Sequence, residues 1–503
     1  MSALMNPVRF PSAVAFVGSF CLMVLELVAG RIMAPYLGVS LYTWTSVIGI
    51  ILAGLSAGAY VGGRIADRRA SRTVLGGLFL FSGLSTLTAL YLLPVVGDLL
   101  SGSKFPLPLA TFLFSLIGFF PPALFLGCIT PVLVKLTLRS LDKTGATVGR
   151  ISAAGALGSI VGTFATGYVL IAFVGTRLTL VGVALVQIAL GIILAGRGPF
   201  GRRSPAYLAL LVGGTLFLPK QCDTESAYYC IRIAQRPDGY VLRLDHLVHS
   251  YVRPRSSDLG YDYEHVFALL LEAQGRRDPR TFFVGGGGYV LPRYLERVKP
   301  GATITVAEID PEVTRVNYTQ MELPLKTKVK TVNADARRLL SSLPAEAEFD
   351  AIFGDAFNDL SVPYHLTTSE FDRIILAHLA PGGFYAVNVI DNPAQGRFLA
   401  AMIRTFQSVF PSVALFPLDP DFTSSRRNTF VLVGSREPLD AARLAEVSPA
   451  SIPAFEASST SRALRTSVAD GVMTAYAAQG IALSDDYVPV ENLLAPIFRA
   501  AYQ

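Results

Sequence analysis

Three acidic residues in the second half of this 503-residue chain each close a short apolar run, and a fourth apolar run ends in glycines. Residues 281–284 lead into Gly285, Gly286, Gly287 and Gly288, and residues 302–307 lead into Glu308. Residues 329–332 precede Asn333, Ala334, Asp335 and Ala336, and residues 349–353 precede Gly354, Asp355, Ala356 and Phe357. Glycines let a backbone approach a ligand without a Cβ clash, and a helix beginning after them offers unpaired N–H donors. An acid about 20 residues beyond such a turn can accept both hydroxyls of a ribose, which is the place of Glu308. Asp335 stands where a short acid can meet the amino group of an adenine. Each carboxylate alone reads as a loop cap; together at the carboxyl ends of neighbouring strands they read as one site.

These residues require a strand–turn–helix alternation. The spacing predicts a helix over 263–272 ahead of the glycine turn, with strands at the four apolar runs. Upstream, residues 225–250 alternate in the strand manner around the turn Pro237, Asp238, Gly239, which predicts a small hairpin-rich region.

The first half has a different composition. Hydrophobic residues make up 51% of the chain and charged residues 16%, against roughly 25% charged in soluble proteins, and the deficit lies before Lys220. Seven runs approach the roughly 20 apolar residues that cross a bilayer: 12–34, 43–63, 74–97, 108–134, 147–172, 177–196 and the shortest, 204–219. Gly155, Gly158 and Gly162 suit close helix contacts. Glu26 and Arg31 in the first run form a functional pair or a structural one at the interface, and Trp44 reads as an interfacial anchor. The basic residues fall in alternate loops: Arg64, Arg68, Arg69 and Arg72; Lys135, Arg139, Lys143 and Arg150; Arg197, Arg202 and Arg203. This puts the N-terminus inside, and seven spans then put the second half outside; without the seventh it returns inside. Cys222 and Cys230 can be bridged on an oxidising side, and a disulfide there would favour the outside placement, whereas a nucleotide substrate made in the cytoplasm favours the inside.

The net charge of +6 is accounted for by these loops, and no basic run with interleaved aromatics marks a nucleic-acid partner. No Cys/His cluster has metal-ligand spacing.

At the glycine turn, Ala307-Glu308-Ile309-Asp310, the Asp335 and Asp355 segments, and the run from Val362 to Phe371, the chain resembles the membrane-fused bacterial spermidine synthases, or polyamine aminopropyltransferases. Glu26 to Arg31 is similar to their first span. The resemblance implies a multi-spanning α-helical membrane bundle over 1–220, a small β-region over 221–262 and an α/β Rossmann-like, methyltransferase-type domain over 263–503. It implies a multi-pass inner-membrane enzyme that moves the aminopropyl group of decarboxylated S-adenosylmethionine to putrescine, releasing methylthioadenosine, with no cofactor besides that co-substrate. Its partners would be these small molecules and the lipid bilayer, and a homodimer would be open to it.

By the same resemblance Asp355 is the proton acceptor. Tyr229, His249, Gly285, Gly286, Gly287, Glu308, Asp335, Ala336 and Pro363 form the nucleotide set, and Tyr263, Glu264, Gly288, Asn358 and Asp359 the amine set. An attacking amine is protonated at neutral pH, so a carboxylate that takes its proton is the needed group. The chain departs from the family at Gly288, where an aspartate usually holds the aminopropyl amine, and at Asn358, where an acid usually stands beside Asp359. That loss leaves two alternatives: an enzyme acting on S-adenosylmethionine itself, by cleavage or by methyl or carboxyaminopropyl transfer, or a transporter that senses a nucleotide or polyamine. Asp485 to Asn492 resembles a tail motif of the fused members and reads as a surface structural element.

Overall fold

The computed structural model describes residues 9–103, 105–138, 140–196, 213, 221–254, 256, 258–356, 362–392, 394–419, 427–447, 468 and 470–500. They fall into two compact units, Met1–Cys230 and Ile231–Gln503.

The first unit is helical. Its helices are α1 (Arg9–Leu37), α2 (Leu41–Arg69), α3 (Arg72–Ser101), α4 (Leu107–Thr137), α5 (Thr144–Ala165), continued by a π-helical stretch Thr166–Val174, and α6 (Thr176–Ala195). Six described helical segments are long and apolar enough to cross a membrane; of the expected seventh run, 204–219, all but residue 213 lies outside the described residues. Close packing of α5 on α1 follows from the small-residue stripe: a Cβ at Gly158 would meet the Phe16 carbonyl oxygen. The Trp44 ring lies against Gly30 of α1.

Arg31 takes a partner that lies far away in sequence rather than Glu26. Its guanidinium donates to the carbonyls of Tyr228 at 2.6 Å and Ser226 at 2.5 Å, and stands 4.0 Å from the Glu225 carboxylate. Glu225, in the short strand β1 (Thr224–Glu225), accepts the first backbone N–H of α6 from Thr176 at 3.0 Å. Cys222 and Cys230 form a disulfide in this segment.

In the second unit, β2 (Cys230–Arg236), β3 (Gly239–Leu244) and β4 (Leu247–Val252) form an antiparallel meander, as the alternation over 225–250 requires. There follow α7 (Asp262–Gln274), β5 (Arg280–Val284), α8 (Val290–Val298), β6 (Thr303–Ala307), α9 (Pro311–Gln320), β7 (Lys330–Val332), α10 (Ala336–Ser342), β8 (Phe349–Gly354), α11 (Ser369–Ala377), β9 (Leu379–Asp391), α12 (Phe398–Gln407), β10 (Ser412–Pro417) and β11 (Asn428–Ser435). Short helices α13 (Ala441–Glu446), α14 (Asp470–Ala477) and α15 (Val490–Ala500) complete it.

Seven strands form one sheet in the order β10-β11-β9-β8-β5-β6-β7. β7, β6, β5, β8 and β9 run parallel, and β11 and β10 are antiparallel additions. Helices cover both faces of a parallel sheet, so central strands are apolar on both sides; Thr281, Phe282, Phe283 and Val284 are all buried. The chain proceeds from β5 outward to β7 and then returns to place β8 on the other side of β5. The carboxyl ends of β5 and β8 therefore flank a topological switch point, where such sheets bind ligands.

Candidate active site

At the switch point the Asp355 N–H donates to the Val284 carbonyl at 3.0 Å, which fixes the tip of β8 against the tip of β5. Gly285 is required there: its φ of 97° lies in the left-handed region, and a Cβ would sit 2.6 Å from the Asp355 carbonyl oxygen.

Glu308 ties the turn to the end of β6. Its Oε2 accepts from the N–H groups of Gly286 at 2.8 Å and Gly287 at 3.2 Å, and its Oε1 from Asp310 N–H at 2.9 Å. Burial raises its pKa, and those N–H groups pull it back down. Glu308 thus stands against the glycine backbone.

Asp355 is held from two sides. The Tyr263 hydroxyl on α7 donates to Oδ2 at 2.6 Å, and the Asn388 amide on β9 donates to Oδ1 at 3.1 Å. Desolvation raises the Asp355 pKa while both hydrogen bonds lower it, so the carboxylate stays oriented with its basicity above that of a solvated aspartate. Only the NH2 end of an amide can donate to a carboxylate, so the Asn388 Oδ1 points elsewhere; it is buried and has no hydrogen-bond partner among the described residues. It borders a narrow apolar cavity lined also by Val284, Gly354, Ala356, Val362 and Leu366.

Glu264 is placed by helix capping. Tyr261 precedes α7, and the Glu264 side chain three residues on accepts the Tyr261 N–H at 3.0 Å. Burial, then the charge of Asp355, push its pKa up to about 8. Two acids, Asp355 and Glu264, thus share this region, and burial together with their mutual repulsion keeps Glu264 mostly protonated at neutral pH.

Gly288 has a specific environment. Its N–H donates to the Ser250 hydroxyl on β4 at 2.9 Å, and a Cβ would lie 2.6 Å from both Ser250 Cβ and Val252 Cγ2. The aspartate that the resemblance leads one to expect has no room here. His249, beside Ser250 on β4, is half-buried, and its Nδ1 lies 3.2 Å from the Leu247 carbonyl.

Asp335 caps α10 through the Arg338 N–H at 2.8 Å and meets His365 Nε2 at 2.7 Å, so both its oxygens are engaged; Ala336, buried, opens that helix. Pro363 starts the short turn Tyr364–Leu366 that bounds the cavity. Tyr229 belongs to the first unit, where its N–H donates to Ser226 Oγ at 2.8 Å. Asn358 and Asp359 lie outside the described residues.

The tail motif is tied to this edge. Asp485 accepts both terminal nitrogens of Arg337, at 2.7 and 2.5 Å, and the Thr368 hydroxyl at 2.8 Å, while its N–H donates to Glu370 at 3.0 Å. Arg337 also donates to the His365 carbonyl at 3.0 Å. The tail therefore braces residues 365–370, of which Leu366 and Thr367 line the cavity.

Asn388, Ser250 and Arg337 were not found by motif. Asn388 sits on a buried strand, and its role is set by pairing across β8 and β9, for which local sequence carries no signal.

No protein-family model matches the chain. A probable polyamine aminopropyl transferase of Bifidobacterium longum is 27% identical over 207 residues, covering 41% of this chain and 45% of the relative. A polyamine aminopropyltransferase of Vibrio vulnificus is 28% identical over 134 residues, covering 26% and 43%. The chain thus spans less than half the length of these curated relatives, and over that stretch it is polyamine aminopropyltransferase-like in sequence. A solved structure described as a probable spermidine synthase from Corynebacterium glutamicum is 22% identical, covers 52% of this chain and 95% of its own, and superposes with a TM-score of 0.44.

Proposed function

We propose that the second unit is an aminopropyltransferase: it binds decarboxylated S-adenosylmethionine across the glycine turn and transfers the aminopropyl group to putrescine or a related amine. The observation that carries this reading is the Asp355 carboxylate, set by Tyr263 and Asn388 at the strand edge that also holds Glu308 against the glycine turn.

The amine nitrogen attacks the propyl carbon next to the sulfonium, the C–S bond breaks, and methylthioadenosine leaves with the bonding pair. Asp355 accepts the proton that the amine must lose and orients its lone pair. Glu308 holds the ribose and Asp335 with Ala336 the adenine, Pro363 lies against the nucleotide, and Tyr263 borders the amine path. No cofactor is involved, the nucleotide being a co-substrate.

A second reading is favoured by one observation. Ser250 and Val252 fill the space where an acidic anchor for the aminopropyl amine would stand, which removes a charge that would repel the carboxylate of ordinary S-adenosylmethionine. Calorimetric titration of the purified protein with both nucleotides separates the two. Tighter binding of the decarboxylated form, weakened by Glu308→Gln, supports the first reading; tighter binding of the carboxylated form replaces it with the second.

A further inference from the structure

The face at which the chain leaves the helical unit is set by described residues on both sides of 197–220. Glu225 caps the first turn of α6 through Thr176 N–H and stands 4.0 Å from Arg31, six residues before the C-terminal end of α1. The segment Gln221–Cys230 therefore lies where α1 ends and α6 begins. From Thr176, α6 runs 20 residues to Ala195, about 30 Å at 1.5 Å per residue, the thickness of a hydrocarbon core. Ala195 and Gln221 thus lie at opposite ends of the bundle.

Charge tells which end is which. Among the described residues, Arg64, Arg68, Arg69 and Arg72, then Lys135, Lys143 and Arg150 lie at the Ala195 end, whereas Arg31 and Arg177 lie at the opposite end; in sequence, Arg139, Arg197, Arg202 and Arg203 adjoin the first set, and Lys104 and Lys220 the second. An excess of Lys and Arg in short loops marks the cytoplasmic side. Independently, the Cys222–Cys230 disulfide lies at the Glu225 end, and disulfides persist in oxidising compartments.

We propose that the chain leaves the helical unit on the extracytoplasmic side, so that Ile231–Gln503 and its acidic site face an oxidising compartment. The inference does not depend on the reaction. One consequence does rest on the aminopropyltransferase reading: a charged nucleotide does not cross hydrocarbon unaided, so a translocation step must supply the donor.

The test uses the full-length chain with single substitutions at exposed positions, Glu346→Cys in the second unit and Lys143→Cys between α4 and α5; native Cys21 and Cys128 are buried. Spheroplasts are treated with a membrane-impermeant maleimide before and after permeabilisation. Glu346→Cys should label equally in both, and Lys143→Cys only after permeabilisation. Labelling of Glu346→Cys confined to permeabilised samples overturns the proposal. In a second measurement, Cys222 and Cys230 should alkylate only after reduction, and free thiols at both in untreated spheroplasts also overturn it. Neither readout involves turnover, so the topology and the reaction stand or fall separately.

Discussion

Replacing Tyr263 with Phe removes one hydroxyl and keeps the ring, which stacks on Tyr261 at 5.7 Å and meets Phe267 at 5.5 Å. The lost 2.6 Å bond is made to the ionised form of Asp355. A hydrogen bond to a charged group contributes roughly 1.5–3 kcal/mol. Its loss therefore disfavours the ionised form and raises the Asp355 pKa, by the smaller part of that energy because the carboxylate is half-buried. The direction follows from the bond lowering the pKa now: without it, desolvation is opposed by Asn388 alone. A base with a raised pKa is protonated earlier as pH falls, so the acid limb of kcat/KM moves to higher pH, and the variant recovers most of its rate well above that limb. Methylthioadenosine release measured from roughly pH 5 to 9 reads the limb directly. An acid limb that stays in place, or moves to lower pH, refutes the assignment of Asp355 as the base that Tyr263 tunes.

Glu264, with a folded-state pKa of about 8 against roughly 4.3 when unfolded, costs stability progressively as pH rises between those values. Glu264→Gln keeps an acceptor for the Tyr261 N–H, so its advantage in chemical denaturation should grow through that window and level off above it; a pH-independent difference contradicts this. Gly288→Asp should lower stability by about 1–3 kcal/mol through overpacking against Ser250 and Val252. Its Tm should recover partly on adding Val252→Ala, and an unchanged Tm for the single variant would show that β4 yields. Arg337→Ala breaks a partly exposed pair and should cost under about 1 kcal/mol globally, yet speed proteolysis around Asp485; an unchanged digestion pattern would mean the tail is held by other contacts.

The sheet was legible because parallel strands buried on both faces read as continuous apolar runs, and β5, β6 and β8 all deliver their named residues at their carboxyl ends. Gly285, Glu308 and Asp355 were found together for that reason. Asn388 was not, because its bond to Asp355 crosses between adjacent strands 33 residues apart. Long-range polar pairs were equally hidden. Arg31 bonds carbonyls 195 and 197 residues away, and Arg337 meets Asp485 at a separation of 148. Gly288 was recognised as a departure, but its cause, the side chains of Ser250 and Val252, lies on a strand that the turn itself does not specify.

Aminopropyl transfer is read out by product analysis on the purified full-length protein, given decarboxylated S-adenosylmethionine labelled in its aminopropyl chain, with and without putrescine. Labelled spermidine and methylthioadenosine should form in equal amounts, both dependent on the amine and both abolished by Asp355→Asn. Methylthioadenosine formed without an amine, or turnover of ordinary S-adenosylmethionine in preference to the decarboxylated donor, would contradict it.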